Sequence, residues 1–514
     1  MIRVGLGRGP GSYAGLEAPW DPGHAWPELR DRMPCATGAA QGDVYGAVRA
    51  SLVGLGLDSA NLDRPEWNPL RDLVHAGGHV VLKPNFIRHW NPLAEADAGA
   101  SVESVITHGA VLRAAIDYAF LAVGPGGRVT LAEAPQQDCD WDRIVEIVGL
   151  DAIQERVREV WGRELEVIDL RREAVRFEAG VIVERRALPG DPLGYRAVDL
   201  GHRSFFTDAG LDPGRLRGAD YDPGPTSEHH SGGRNAYLLS ETVLCSDLIV
   251  NLPKLKTHKK TGVTLALKNM VGINGDKNWL PHHCSGSVGD GGDEFPGGRL
   301  LDRARSQLAD LGRQLLKRGI GTRIAQAYRR VETATRGDDF IRSGNWHGNR
   351  TTWRMCADLN RCVYYSDAAG EHFDAAAPVR PVLTILDGIV SGEGNGPLAP
   401  RDVSLGVVIA GTDPLAVDLV AIRAMGFDER RIPKILEPMQ SDDLRISDVR
   451  CAEDVQVGEV EESAGGERPA SAVRLYDLNA IAALHSFEPH PGWLNHIERG
   501  ADDAVNDSRQ RASA

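Results

Sequence analysis

Uninterrupted apolar runs alternate along this chain with segments in which apolar residues recur every three or four positions. HVVLKPNFI (His79–Ile87) is an apolar run closed by Lys-Pro-Asn, which is typical of a buried strand that ends in a loop. ITHGAVLRAAIDYAFLAV (Ile106–Val123) has helical spacing, and GGRVTLAEAP (Gly126–Pro135) returns to a strand pattern. This order predicts a β–α–β unit, and therefore an α/β fold with a mostly parallel sheet and helices on both faces.

The same alternation continues towards the C-terminus. ELEVIDL (Glu164–Leu170) is a further strand, and DLIVNLPKLKTH (Asp247–His258) is a strand that leads into a cluster of lysines. TGVTLALKNMVG (Thr261–Gly272) predicts a helix with Thr261 as a candidate cap. PVLTILDGIVSGEGNGP (Pro381–Pro397) predicts a strand followed by a polar glycine loop, and LGVVIAGTDPLAVDLVAIRAMGF (Leu405–Phe427) predicts strand, turn and helix.

These elements predict one large α/β core at residues 76–433, preceded by an N-terminal approach segment (1–75) and followed by a small C-terminal appendage (434–514). Within the core, two basic amphipathic segments predict a helical insertion at about residues 295–345. Such helices usually provide packing or oligomer surfaces, so the insertion suggests a homo-oligomer, with a lipid surface as the less common alternative. HCSGSVGDGGDE (His283–Glu294) is glycine-rich and predicts a mobile loop or lid.

Composition restricts the class of protein. The chain has 514 residues, 42% of them hydrophobic and 25% charged, which is near the globular average. Its formal charge of -14 argues against a general nucleic-acid binder, because phosphate neutralisation needs a basic face. The N-terminus lacks the pattern of a signal peptide and no apolar stretch reaches transmembrane length, so we expect a soluble, cytoplasmic protein without a transmembrane segment.

Seven cysteines are scattered along the chain and none form a CxxC pair. An odd, unpatterned set of this kind is typical of reduced thiols in the cytosol. We therefore expect neither an iron–sulfur cluster nor a zinc ribbon.

The distribution of lysine indicates where the chemistry lies. The chain has nine lysines against 49 arginines, and six of the nine fall between Lys254 and Lys277. Guanidinium stays charged, whereas the pKa of an ammonium group falls readily on burial. An amine that titrates can act as a proton donor, a base, a Schiff-base former or a phosphate clamp. The alternative is a solvated charged turn.

Four residues of this cluster are candidate catalytic groups. On a strand, Lys254 and Lys256 project to the same side, so that two ammonium groups face one cavity and create either a neutral amine or an anion site. His258 can add a proton shuttle, or it can be a structural histidine. Lys268 either reaches the same pocket or caps a carbonyl at the end of its helix, and Asn269 beside it is a candidate substrate-binding residue.

Two other segments are expected to meet the lysines. Lys83 and Asn85 end the earlier strand, and parallel strands deliver their carboxyl ends to one edge of the sheet, so both are candidate substrate ligands. Asp387, Glu393 and Asn395 lie among glycines that allow a ligand to approach the backbone. Glu393 is a candidate base, and Asn395 is a candidate substrate ligand. Asp387 and Glu393 together are a candidate site for a divalent cation such as Mg²⁺. The alternative for both carboxylates is that they only form turns.

Three motifs carry a resemblance to a known family. VVLKPNFI, DLIVNLPKLKTHKKTGVTLALKNMVGINGDK, and ILDGIVSGEGNGP with VVIAGTDPLAVDLVAIRAMGF resemble, in this order and over about residues 79–433, the family catalogued as domain of unknown function 362. The resemblance implies an α/β domain and no established activity. Some relatives carry a ferredoxin-like module with cysteine-ligated clusters. This chain has no such cysteine run, which argues against an electron-transfer role. The stretch WHGNRTTWRMCADLNRCVYY (Trp346–Tyr365) resembles long members associated with polysaccharide or natural-product biosynthesis.

Together these features predict an isomerase or lyase-type enzyme that binds a carboxylate- or phosphate-bearing small molecule in a Lys/His-lined pocket. We expect proton-transfer chemistry next to a carbonyl: isomerisation, epimerisation or elimination. A non-catalytic anion-binding or scaffold protein of a biosynthetic pathway is the alternative, and a redox protein is a further one.

Overall fold

The computed structural model describes residues 1–30, 32–33, 43–178, 181–219, 222–297, 341–371, 380–461 and 472–500, with isolated positions at 312, 316, 323, 326 and 378. Most of the helical insertion expected at about 295–345, including its suggested oligomer surface, lies outside the described residues. No helix in the described ranges is long and apolar enough to cross a membrane.

The strands of the described residues are β1 Ile2–Arg8, β2 His79–Pro84, β3 Arg128–Glu133, β4 Glu166–Asp169, β5 Glu173–Glu178, β6 Val181–Ala187, β7 Tyr195–Asp199, β8 Leu216–Arg217, β9 Ala236–Ser240, β10 Leu248–Leu252, β11 Lys254–His258, β12 Gly262–Val263, β13 His283–Cys284, β14 Val382–Asn395, β15 Ala399–Gly411, β16 Val455–Val460 and β17 Val473–Asp477. The α-helices are α1 Val44–Leu55, α2 Gly109–Val123, α3 Trp141–Ile147, α4 Leu150–Trp161, α5 Gly224–His229, α6 Glu241–Leu244, α7 Leu265–Asn269, α8 Thr352–Tyr365, α9 Pro414–Ala424 and α10 Pro433–Gln440.

One large mixed sheet organises the molecule. Its strand order is β17-β16-β1-β15-β14-β10-β2-β3-β4, and β11 pairs with β14 beside this path. The neighbours from β14 through β10, β2 and β3 to β4 are all parallel, whereas β15 is antiparallel to both β14 and β1. The prediction of an α/β fold with a mostly parallel sheet is confirmed.

Helices cover both faces of this sheet. Val80 and Leu82 of β2 pack into one buried cluster with α1, α2 and α4, while Val81 packs into a second cluster with α8 and α9 on the opposite face. All six residues of β2 are buried. Parallel strands that are covered on both sides read as continuous apolar runs, which is why periodicity identified this part of the sheet.

Strands from both ends of the chain complete the sheet. β1 lies between β15 and β16, and β17 forms the edge beyond β16. The segments 1–75 and 434–514, which the sequence separates from the core, therefore contribute strands to the same sheet as the core.

The expected helix at Thr261–Gly272 is wrong in its first part. Residues Gly262–Val263 form β12, which pairs with β11, and helix α7 begins only at Leu265 and continues as a 3-10 turn at Met270–Ile273. Leu265 has φ +52°, a left-handed conformation that is unusual for a branched side chain and that no helical pattern anticipates.

The glycine loop expected after the strand at Pro381 is also wrong. β14 runs without a loop from Val382 to Asn395, and its ladder with β15 extends to the pair Asn395–Ala399. The glycines lie in the distal half of this long hairpin, with a register irregularity between Gly388 and Val390. Backbone pairing with β15, which the sequence pattern does not reveal, overrides the low strand propensity of glycine.

Candidate functional site

The carboxyl ends of β2, β3 and β10 meet where the order of the strands reverses. From β2 the chain adds β3 and β4 on one side, and it later adds β10 and β14 on the other side. In open α/β sheets such a reversal leaves a crevice at the strand ends, which is the usual place for a ligand. Asn85 follows β2, Glu133 ends β3, and β10 leads through Pro253 into β11.

A pocket opens at this position, and we call it the lysine pocket. Its cavity has a volume of about 50 Å³, and the empty space including the open mouth amounts to about 400 Å³. The pocket is lined by Asn85, Phe86, Ile87, Glu133, Ala134, Lys256, His258, Thr264, Lys268, Asn269, Val271, Gly272, Lys277 and Pro397. Its size suits a small polar group rather than a large apolar ligand.

An amide network holds one wall of the lysine pocket. Asn85 Nδ2 donates to Asn269 Oδ1 at 2.9 Å, and Asn269 Nδ2 donates to Asn251 Oδ1 at 2.8 Å. Lys256 Nζ donates to Asn85 Oδ1 at 3.2 Å and to the carbonyl oxygen of Val105. Lys256 is fully buried, and these neutral oxygens are its hydrogen-bond partners.

The tautomer of His258 is set by the backbone. Its Nδ1 accepts hydrogen bonds from the N–H groups of Lys260 (3.0 Å) and Thr261 (3.3 Å). A neutral imidazole that accepts at Nδ1 carries its proton on Nε2. His258 lines the lysine pocket, so its Nε2–H is a candidate proton donor.

Two polar groups of the pocket are without a partner among the described residues. Lys268 Nζ makes no hydrogen bond or ion pair within those ranges, although the residue is only 9% exposed and lines the cavity. Thr264 Oγ1 is buried and has no hydrogen-bond partner in the described part of the chain. Buried polar groups are nearly always satisfied, so the unsatisfied Thr264 Oγ1 indicates a ligand or water in the cavity.

A buried ion pair and a fourth lysine complete the pocket. Lys83 Nζ donates to Glu133 Oε2 and, at 2.6 Å, to the carbonyl oxygen of Pro84. Lys277 Nζ donates to the carbonyl oxygen of Val271 at 3.3 Å. Glu133 is the one carboxylate in the lining and is already paired, so basic groups outnumber acidic ones.

Burial and mutual repulsion disfavour the charged form of these bases. Burial, together with the charges of Lys254 and Lys268, lowers the pKa of Lys256 well below its usual range. Burial also lowers the pKa of Lys268, and that of Lys277 to about 7. The pKa of His258 falls well below its ordinary value for the same reasons. A ligand anion would reverse these shifts, because it favours the protonated forms.

The backbone that presents Lys268 is anchored from outside the pocket. Asp418 of α9 accepts hydrogen bonds from the N–H groups of Ala266 (2.6 Å) and Leu267 (3.4 Å) at the start of α7. Lys434 Nζ donates to Asp418 Oδ2 at 3.0 Å and to the carbonyl oxygen of Thr264 at 2.7 Å. These bonds fix the unusual turn at Leu265 that directs α7 towards the strand ends.

Lys254 belongs to a separate, closed network. Its Nζ donates to Asp387 Oδ2 at 2.8 Å, and Tyr13 OH donates to Asp387 Oδ1 at 2.5 Å. The backbone N–H of His108 also donates to Asp387, and the His108 ring stacks on Tyr13 with centroids 3.7 Å apart. Lys254 and Asp387 are both fully buried, so this pair ties the lysine strand to β14.

The structure thus brings together some of the candidate residues and separates others. Lys256, His258, Lys268, Asn85 and Asn269 line one pocket, and Lys83 adjoins it through Glu133. Lys254, Asp387, Glu393 and Asn395 are not part of its lining.

The expected cation site at Asp387 and Glu393 does not form as a pair. Glu393 accepts a hydrogen bond from the Glu488 N–H at 2.9 Å and lies 3.6 Å from His485 Nε2. It is six residues from Asp387 on one strand, which corresponds to about 20 Å, so the two carboxylates cannot share an ion. The described ranges contain no group of three or more His, Cys, Asp and Glu side chains that could hold a metal ion.

Three polar residues of the pocket were not among the candidates from the sequence: Glu133, Thr264 and Lys277. Glu133 carried a usable signal, because it is the last residue of a strand parallel to β2 and therefore had to reach the same edge. Lys277 lay within the lysine cluster but had no pattern that placed it. Thr264 lines the pocket because of the turn before α7, which the helical pattern concealed.

Residues 166–423 match the model of the family described as Domain of unknown function (DUF362). This match covers half of the chain and contains the lysine cluster, α7 and β14. No curated protein matches the sequence.

Proposed function

The chain belongs to the DUF362 family, whose description assigns no activity, and we propose from the geometry of the lysine pocket that it is an enzyme acting on a small carboxylate- or phosphate-bearing molecule. The observation that carries this proposal is the Lys268 amine, which has no partner among the described residues and shares with His258 a cavity where basic groups outnumber acidic ones. The reaction is proton transfer next to a carbonyl: isomerisation, epimerisation or elimination.

The anionic group supplies the electrostatic balance that the pocket lacks. Lys256, Lys268 and Lys277 cannot all remain charged in a buried site without a counter-ion, because burial penalises each charge and the charge of Lys268 lowers the pKa of both Lys256 and Lys277. A carboxylate or phosphate restores those charges and accepts their hydrogen bonds. Ligand binding is therefore expected to draw protons from solution.

Lys268 and His258 have different roles in the proposed proton transfer. Burial lowers the pKa of Lys268, which makes its neutral form more accessible, and Lys268 has no competing hydrogen bond among the described residues. While Lys256 and Lys277 hold the anionic group, the neutral form of Lys268 can accept a proton from carbon. The Nε2–H of His258 can donate to the developing oxyanion. Asn85 and Asn269 hold the neighbouring wall in place.

Proton uptake provides the first test. Sulfate keeps its charge above pH 4, so its binding can be measured by titration calorimetry at pH 7.5 in buffers of different ionisation enthalpy. We expect sulfate to bind with net proton uptake, and Lys268→Met to weaken binding and reduce the uptake. Arg401→Met, which removes one positive charge from an exposed ion pair, is the matched control and should change neither. Sulfate affinity that is the same in Lys268→Met as in the native chain would refute the anion site.

Catalysis is tested by solvent exchange. Small 2-oxo and 2-hydroxy acids and their phosphorylated counterparts are incubated with the protein in D₂O and followed by proton NMR. We expect deuterium to enter at the carbon next to the carbonyl of at least one compound, and the exchange to be lost in Lys268→Met and His258→Gln.

The alternative is an anion-binding or scaffold protein without turnover. It is favoured by one observation: the single carboxylate of the pocket, Glu133, is already engaged by Lys83, so the lining offers no unpaired acidic base. Sulfate binding that depends on Lys268, combined with no exchange of any compound in the panel, would support this alternative.

A further inference from the structure

A second group of basic residues lies in or against segments that line the lysine pocket. Ile87 and His258 line the pocket. Arg88 directly follows Ile87 in the chain, and Lys259 directly follows His258. The N–H of Lys259 donates to the carbonyl oxygen of Gly396 at 3.0 Å, next to Pro397 of the lining. We call Arg88, Lys259 and Arg342 the basic rim.

Contacts of the Lys259–Lys260 turn bring Arg342 to the same place. Lys260 Nζ donates to the carbonyl oxygen of Ser343, the residue after Arg342. Trp493 Nε1 donates to the carbonyl oxygen of Lys259 at 2.9 Å and fixes the other side of the turn. Hydrogen bonds to three separate segments, at Ser343, Trp493 and Gly396, therefore hold this turn in place.

The basic rim has positive charge in excess of its acidic partners. None of the described residues accepts a hydrogen bond from Lys259 Nζ, and burial, together with the charges of Arg342 and Arg88, lowers the pKa of Lys259 to about 8. Arg88 pairs with Asp138 at 3.2 Å, but its Nε is buried without a partner in the described part of the chain. The Arg88 guanidinium stacks on Trp90, 3.6 Å from the ring centroid, which holds it in place.

We propose that the basic rim is a second anion subsite, and that the ligand of the lysine pocket is a small molecule with two anionic groups, one in the pocket and one at its mouth. This inference rests on the proposed function, because it uses the lysine pocket as the first subsite. A cluster of two guanidinium groups and one amine suits phosphate or carboxylate oxygens, which accept several charge-assisted hydrogen bonds at once. The connecting part of the ligand would lie between Ile87 and His258.

The test compares one anionic group with two. The probes are methylphosphonate and a series of alkane bisphosphonates with one to six methylene groups, each titrated into the full chain at one ionic strength and pH 7. For the best spacer we expect an affinity at least about tenfold above that of methylphosphonate, a gain of about 1.4 kcal/mol. In Lys259→Gln this ratio should fall to about one, whereas Lys259→Arg, which keeps the charge, should retain most of it. Arg401→Gln is the charge-matched surface control.

Each outcome decides between the two proposals. Methylphosphonate binding without any gain from the second group overturns the second subsite and leaves the lysine pocket intact. A gain that persists in Lys259→Gln overturns the assignment to the basic rim. Failure of every probe to bind the native chain removes the lysine pocket as an anion site and this inference with it.

Discussion

Lys268 in α7 and Lys434 beside the start of α7 are both buried, and the structure predicts that replacing them by methionine has opposite effects on stability. Lys434 is 0% exposed in its side chain and forms an ion pair with the equally buried Asp418. Lys268 has no hydrogen bond or ion pair to any described residue. Methionine has a similar length and no charge, so each substitution removes the ammonium group with little change in packing.

The magnitudes follow from what each substitution leaves behind. Lys434→Met leaves the Asp418 carboxylate buried without its counter-ion, which costs about 3–5 kcal/mol. Lys268→Met removes an uncompensated charge, which stabilises the fold by on the order of 1–2 kcal/mol. The unfolding entropy of about 2.1 cal/mol/K per residue amounts to roughly 1.1 kcal/mol/K for 514 residues. We therefore expect the Tm to fall by about 3–5 °C in Lys434→Met and to rise by about 1–2 °C in Lys268→Met.

The pH dependence gives an independent check. Burial lowers the pKa of Lys268 in the folded state below its ordinary value in the unfolded chain. Between those two pKa values the unfolded chain binds more protons, so the free energy of unfolding rises with pH, by at most about 1.4 kcal/mol per pH unit. Below both values the penalty for the buried charge is fully present. The Lys268→Met variant lacks this contribution, and its stability should rise less between pH 7 and pH 9.5.

Differential scanning fluorimetry from pH 7 to pH 9.5 measures both effects, and sulfate titrations of the same variants show whether stability and binding diverge. We expect Lys268→Met to be more stable than the native chain but to bind sulfate more weakly, because the native structure holds this binding group without a partner until a ligand supplies one. A Tm that falls in Lys268→Met by as much as in Lys434→Met would refute this reasoning, since it would mean that Lys268 has a structural partner.

Three further outcomes are expected. Gly272→Ala places a Cβ 1.9 Å from Glu133 Oε1 and 2.6 Å from Lys83 Nζ, so this ion pair must move. Sulfate binding, measured by titration calorimetry, should weaken by on the order of tenfold. Gly297→Ala, whose Cβ meets no atom within 4 Å, is the control and should leave sulfate binding unchanged. Sulfate affinity should decrease from pH 6 to pH 9, because the pKa of Lys277 is lowered to about 7 and the amine loses its charge above that pH; an unchanged profile in Lys277→Met would contradict this. Asp387→Asn leaves Lys254 without its counter-ion, and a thermal melt should show a Tm lower by about 3–5 °C; an unaltered Tm would show that the closed network contributes nothing.

Local pattern was sufficient for the elements that are apolar throughout or strictly periodic. The strand at His79–Pro84, the helix at Gly109–Val123 and the strand at Leu248–Leu252 could be predicted because burial on both faces, or on one helical face, must appear in the sequence itself. Parallel strands end at one edge of their sheet, and this rule alone predicted that Asn85 would meet the lysine segment. The composition of the candidate site, rich in amines, was equally a property of the sequence.

Tertiary structure decided which of these amines face a cavity. Lys254 and Lys256 are two residues apart and indistinguishable by pattern, yet Lys254 is neutralised by Asp387 and Tyr13 while Lys256 turns to Asn85. The partners lie more than a hundred residues away in the chain, so no local rule assigns them. The late start of α7 depends in the same way on Asp418. Sequence fixes the kinds of group available, whereas the pairing of distant charges, which minimises uncompensated charge in the interior, determines which of them remain for a ligand.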